Sequence, residues 1–203
     1  MYGFDIKSIH QNFILKNSQK KILKLISTKN KYVINEFVEQ GSYAKQIYAG
    51  STNTIRMTTM IDPLTGEVFI PITCHKFGTS LTGPTDNMSR GGINAYINTE
   101  TGIIENATIY ANKKIIYVKK HPDTGFELIG FKIPHWEKVK AEVVEVAKQV
   151  DFLKYVGWDV AVLDDGIRII EGNSNPDLIN QIYTPFFDDE RITRFFKHHK
   201  IIK

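Results

Sequence analysis

Cysteine is almost absent. Cys74 is the one thiol among 203 residues, so no disulfide framework holds this chain together. Long hydrophobic runs are missing too: nothing approaches the roughly 18–20 apolar residues a membrane-spanning helix needs. Met1 to His10 mixes Asp5, Lys7 and His10 among apolar residues and holds no signal-peptide core. The expected compartment is therefore the cytoplasm. Charge of one sign is scarce: 26 Lys plus Arg against 22 Asp plus Glu leave a net charge of +4, spread along the chain. Lys113, Lys114, Lys119 and Lys120 come without a stacking pattern of aromatics, so nucleic acid is not an expected partner. Neither a GxxxxGKS/T phosphate loop nor a GxGxxG fingerprint occurs. What the chain does have is material for a core. Apolar residues make up 42%, with 12 Phe, 9 Tyr and 2 Trp, which excludes a disordered chain.

Patterning predicts an α+β fold with a mostly antiparallel sheet and packed helices on one side. Asn17 to Thr28 reads as a basic amphipathic helix, and Lys31 to Glu39 alternates like a strand. Thr52 to Ile61, dense in β-branched residues, and Val68 to His75 flank the turn Asp62-Pro63-Leu64-Thr65-Gly66. Thr79 to Gly92 is a long loop rich in Gly, Ser, Thr and Pro. Ile93 to Asn98 and Ile103 to Tyr110 form a second hairpin. Ile115 to Lys119 and Glu127 to Phe131 flank a turn at His121 to Gly125. Glu137 to Val150 carries Val139, Val143, Val146, Ala147 and Val150 at helical spacing. A last helix starts at Asp188. Cys74 and His75 are adjacent in a strand and point to opposite faces, so they form no catalytic dyad.

The stretch from Gly157 to Asn173 carries the chemistry. Two apolar strands flank Asp164-Asp165-Gly166. A three-residue loop with Gly166 left-handed pairs Leu163 with Ile167, Ala161 with Ile169 and Asp159 with Glu171. Paired residues share a face, and Asn173 joins them two positions on. Two carboxylates about 5 Å apart repel and call for a positive partner. Together with a side-chain amide they are oxygen donors of the kind Mg²⁺ takes. The competing reading is structural: Asp159 ends a strand, Glu171 meets a surface Arg, and Asn173 starts a turn.

Asp, a gap across a hairpin and Glu-x-Asn resemble the metal-binding end of the ATP-grasp ligases. The phrases Gly157-Trp158-Asp159 and Glu171-Gly172-Asn173 resemble the sugar-transfer-associated branch. So do Ser51-Thr52-Asn53-Thr54-Ile55-Arg56, Asp86-Asn87-Met88-Ser89-Arg90-Gly91-Gly92 and Ile133-Pro134-His135-Trp136. The similarity runs from about Lys31 to Asn175. It implies the C-terminal lobe of an ATP-grasp fold in residues 31–203, preceded in 1–30 by the end of the phosphate-loop lobe, with Lys7 the nearest lysine to that loop.

The resemblance further implies ATP and Mg²⁺ as cofactors, with Asp159, Glu171 and Asn173 holding the metal. The segment Val33, Glu36, Phe37, Val38 and Glu39 would meet adenine and ribose. Arg56, Asn87 and Arg90 would act on phosphate, acyl phosphate or acceptor, and Arg suits this work because its planar fork matches phosphate oxygens. Trp136 would shape a helix start or line the cleft. The implied reaction is ATP-dependent ligation of a small-molecule carboxylate to a nucleophile, linked to polysaccharide or sugar-transfer pathways. The rest of the first lobe is expected from a partner chain or a second copy. The alternative is a non-catalytic remnant that binds a nucleotide or a protein.

Overall fold

The computed structural model describes residues 37–111, 113–174, 176 and 186–203. The expected helix Asn17–Thr28, the strand from Lys31 as far as Glu36, Lys7, Val33 and Glu36 lie outside the described residues. The chain divides into two units, Met1–Glu39 and Gln40–Lys203. Of the first, Phe37, Val38 and Glu39 are described: Val38 is half-buried and the other two are exposed.

The second unit is built on one sheet. Its strands are β1 (Ile55–Ile61), β2 (Val68–Phe77), β3 (Ile93–Ile97), β4 (Ile104–Ala111), β5 (Lys114–Tyr117), β6 (Tyr155–Val162) and β7 (Ile167–Asn173). They lie in the order β5-β4-β3-β2-β1-β6-β7, and every pairing is antiparallel. Among the described residues three α-helices accompany it: α1 (Ser42–Ile47), α2 (Trp136–Gln149) and α3 (Glu190–His198). The α+β class and the antiparallel sheet stand as the pattern predicts.

The turns follow local chemistry. Gly66, Gly102 and Gly125 all take positive φ, at the ends of the three turns marked by Gly in the sequence. The expected arm Glu127–Phe131 shrinks to isolated bridges, Lys120 to Glu127 and Ile103 to Lys132. Leu128 and Ile133, each next to a bridged residue, turn into the core, so burial of these side chains replaces a regular ladder.

β2 contains Pro71, which has no N–H to give to a ladder. The β1–β2 register slips there: Thr58 faces Ile72 and Met60 faces Phe69. The added residue is a bulge in β2, a place that tolerates proline.

The main core lies on one face. Ile55, Met57, Phe77, Ile93, Ala95, Ile97, Trp158 and Val160 pack with Trp136, Val139, Val143 and Ala147 of α2. The apolar stripe read from the sequence is thus the buried stripe of the helix. Trp136 belongs to this core and its Nε1–H donates to the Thr99 carbonyl at 2.8 Å, so it does not line a cleft on the other face.

The helices are not confined to one side. Met60 stands three residues from Met57 and so points the other way. It joins Phe69, Ile72 and Phe186 with Ile192, Phe195 and Phe196 of α3 in a second cluster. α3 is capped by Asp189, whose carboxylate accepts from the Arg191 N–H at 2.9 Å. Arg194 pins it with two hydrogen bonds to buried Asp62, at 2.9 and 2.6 Å. The sequence predicts a helix from Asp188 but does not say which sheet face it meets.

Candidate functional site

Four strands bring the site residues into one row. Glu171 on β7 faces Asp159 on β6. Asp159 also faces Arg56 on β1, and Arg56 faces Cys74 on β2. Directly opposed residues share a face, and this is the face opposite α2. One row along, Gly157 faces both Asn173 and Thr58, which puts Asn173 on the same side.

The pairing of Asp159 with Glu171 is as expected, but it is reached differently. Near the turn, Val162 faces Ile167, Ala161 faces Arg168 and Val160 faces Ile169. Four residues thus lie between the last pair, Val162 and Ile167, where three were expected between Leu163 and Ile167, and within them Leu163 N–H donates to the Gly166 carbonyl at 2.8 Å. An extra residue at Ile170, on an edge strand where bulges collect, restores Asp159 opposite Glu171. The physical reason lies outside the hairpin. The Asp164 carboxylate accepts from the Ser42 N–H and hydroxyl at 2.7 and 2.9 Å. Lys138 Nζ donates to the Asp165 carbonyl at 2.8 Å. These contacts override the local preference for a left-handed Gly166.

Asp159 is the centre of charge. Arg56 Nε donates to its Oδ1 at 2.6 Å and Nη2 to its Oδ2 at 3.1 Å. Lys76 Nζ donates to Oδ2 at 2.9 Å. The side chains are 7%, 17% and 19% exposed for Asp159, Arg56 and Lys76. Burial works against the charge of Asp159, but the hydrogen bonds and charges of Arg56 and Lys76 outweigh it and hold its carboxyl below the usual range. Burial likewise opposes the charge of Arg56, and contact with Asp159 outweighs that, aided by the charges of Glu171 and Asp86.

Asp86 extends the cluster. Its Oδ2 accepts from the Thr54 N–H and hydroxyl at 2.9 and 2.6 Å, and its Oδ1 stands 3.9 Å from Lys76 Nζ. Burial raises its pKa, and Lys76 and Thr54 only partly offset this.

The predicted residues separate into two groups. Arg56, Asp159, Glu171 and Asn173 come together; Asn173 Nδ2 donates to Glu171 Oε1 at 3.1 Å. Asn87 and Arg90 sit on the loop beyond Asp86. There Asn87 caps the short 3₁₀ turn Met88–Arg90, its Oδ1 accepting from the Ser89 N–H and hydroxyl at 3.0 and 2.9 Å. Both Asn87 and Arg90 are exposed. Lys76 and Asp86 were not assigned a role from sequence. Lys76 is two residues beyond Cys74 on the same strand face, a period-2 signal that acquires meaning only once β1 is known to lie beside β2 and β6.

The recognisable phrases have structural reasons. A Cβ on Gly157 would stand 2.6 Å from Pro176 Cβ and 3.1 Å from Arg56 Cδ, so glycine makes room for the arginine stem. Trp158 turns into the core and its Nε1–H donates to Thr59 Oγ1 at 2.9 Å. Asn53 is 1% exposed and ties α1 to β2: its Nδ2 donates to the Tyr48 carbonyl at 2.6 Å and its Oδ1 accepts from the Gly78 N–H at 3.0 Å. His75 and Cys74 point apart as expected. His75 Nε2 meets Tyr43 Oη at 2.9 Å, and burial holds its pKa down to about 3.

The family described as sugar-transfer associated ATP-grasp matches residues 8–185. The chain belongs to that ATP-grasp family. No curated protein and no solved structure matches it. Among the described residues no cluster of three or more His, Cys, Asp or Glu is arranged to hold a metal ion. The Asp159, Glu171 and Asn173 set includes an amide and is not of that kind. Among the described residues, too, no helix is long and apolar enough to cross a membrane.

Proposed function

We propose that this ATP-grasp chain binds ATP with Mg²⁺ on the face carrying Asp159 and Arg56, and uses it to activate a small-molecule carboxylate as an acyl phosphate. An amine, thiol or similar nucleophile then displaces phosphate. The family's description as sugar-transfer associated supports a link to sugar transfer or polysaccharide synthesis.

The observation that carries this reading is the row Glu171, Asp159 and Arg56 across three adjoining strands, with Lys76 on the same carboxylate. Asp159, Glu171 and Asn173 fit Mg²⁺ by donor chemistry: two carboxylates on directly opposed residues and a side-chain amide one row away are hard oxygen donors. When bound, the cation supplies charge neutralisation for the phosphates. Arg56 is oriented by Asp159. Its guanidinium has five N–H donors, of which Asp159 engages those on Nε and Nη2, so the remaining edge suits phosphate or acyl-phosphate oxygens. Asp86 fixes the start of the loop that presents Asn87 and Arg90, a position suited to the acceptor. Phe37, Val38 and Glu39 belong to the segment assigned to adenine and ribose.

The test is calorimetric titration of ATP into the full chain, with and without Mg²⁺, repeated on Glu171→Gln. Magnesium-dependent binding that is lost in the variant, at unchanged thermal stability, is the expected result. A folded chain that binds no nucleotide, or binds it equally well as Glu171→Gln, overturns the assignment. Binding without product from any acid and nucleophile would instead favour a nucleotide-binding remnant.

A further inference from the structure

Both oxygens of Asp159 accept hydrogen bonds from cations. Oδ1 accepts from Arg56 Nε, and Oδ2 accepts from both Arg56 Nη2 and Lys76 Nζ. Oδ2 thus has both acceptor sites filled, and a divalent cation that takes this oxygen must displace a donor. The two donors are not equally held. Arg56 grips through two hydrogen bonds and keeps Oδ1 to itself, whereas Lys76 has one contact here, on the shared oxygen. Lys76 also has somewhere to go, because Asp86 Oδ1 lies 3.9 Å from its ammonium. With four rotatable carbons and a compact charge, lysine moves more readily than a bidentate arginine.

We propose that Lys76 is the exchangeable counter-ion of Asp159: it masks the carboxylate until a divalent cation claims it, and then binds a phosphate oxygen of the nucleotide. This rests on the Mg²⁺–ATP reading above. The consequence is coupling between two ligands. Metal alone binds weakly, because it must strip Lys76 from Asp159 and leave the ammonium with no new full partner. Nucleotide supplies that partner, so each ligand strengthens the other by the same factor. Asp86 serves as a halfway anchor that keeps the freed ammonium on this face. Arg56 stays on Asp159 throughout and holds it in place.

The experiment measures Mn²⁺ binding to the full chain by electron paramagnetic resonance, with and without a non-hydrolysable ATP analogue. Analogue binding is followed calorimetrically with and without Mn²⁺. Lys76→Met is expected to bind Mn²⁺ alone roughly tenfold more tightly, the worth of one charge-assisted hydrogen bond no longer competing. It is also expected to bind the Mn²⁺–analogue roughly tenfold more weakly. Lys76→Arg keeps a cation and should shift both values back toward the original protein, and Lys76→Gln serves as the neutral variant if Lys76→Met does not fold. If either half is missing, so that Mn²⁺ alone is not tightened or the analogue is not weakened, the exchange role is overturned. If the unaltered chain binds the Mn²⁺–analogue and Glu171→Gln abolishes that binding, the Mg²⁺–ATP reading survives such a failure. If the unaltered chain binds neither ligand, both fall together.

Discussion

Replacing Asp159 by Asn tests whether the charged row is a buried network or a solvated surface. The side chain is 7% exposed and receives three hydrogen bonds, from Arg56 at 2.6 and 3.1 Å and from Lys76 at 2.9 Å. Asparagine keeps the shape and one acceptor but removes the charge. Two cations at 17% and 19% exposure then face each other without a counter-charge. Breaking a buried ion pair from one side costs about 3–5 kcal/mol. Here the lower end applies, because both cations reach solvent and Asp86 lies near Lys76. The expected loss is about 3 kcal/mol, or roughly 100-fold in the folding equilibrium. Urea unfolding followed by tryptophan fluorescence reads this as a lower midpoint at unchanged slope. Adding Lys76→Met to Asp159→Asn removes one stranded cation and should restore about 1 kcal/mol or more, a non-additivity expected of contacting residues. A loss under about 1 kcal/mol, with full additivity in the double variant, would refute the network and place Asp159 among ordinary surface pairs.

Other perturbations probe the scaffold around the row. Arg194 and the Leu64 N–H hold the Asp62 carboxyl down to about 2, against an ordinary value of 3.8. The docking of α3 therefore gains stability that is fully present above about pH 4 and is lost as the pH falls through the folded value. Arg194→Met should remove most of that acid dependence in a pH series of thermal melts, the Leu64 N–H bond keeping the rest. Phe195→Ala empties a position 3% exposed in the α3 cluster and should cost about 3–5 kcal/mol by chemical denaturation. Gly92→Ala would place a Cβ 2.7 Å from the Asp86 carbonyl and 2.8 Å from that of Asn87. Backbone there must shift, so faster amide exchange in the 86–92 loop is expected, with little change at α2.

Local chemistry is what made the fold readable. Gly66, Gly102 and Gly125 sit where turns need positive φ, and their residue types mark those turns without any tertiary information. The stripe Val139, Val143 and Ala147 is buried in the core as its spacing requires. Asp159 and Glu171 face each other as expected, but by a different register near the turn. The expected loop length was wrong by one residue and the bulge at Ile170 compensates for it, a cancellation no hairpin rule contains. The pull on that loop comes from Ser42 and Lys138, which lie far away in the chain.

The sequence by itself determined the Gly-marked turns, the apolar stripe of α2 and the resemblance to a family, because each depends on close neighbours or on short phrases. Tertiary structure alone decided what Asp159 touches. Arg56 lies 103 residues from it and Lys76 83 residues from it. They meet because the chain inserts β6 beside β1 rather than beside β5, which precedes it. It also decided that α3 covers the face opposite α2. Strand order and face choice come from how separate apolar surfaces find one another, and residue patterns within each element carry no record of that choice.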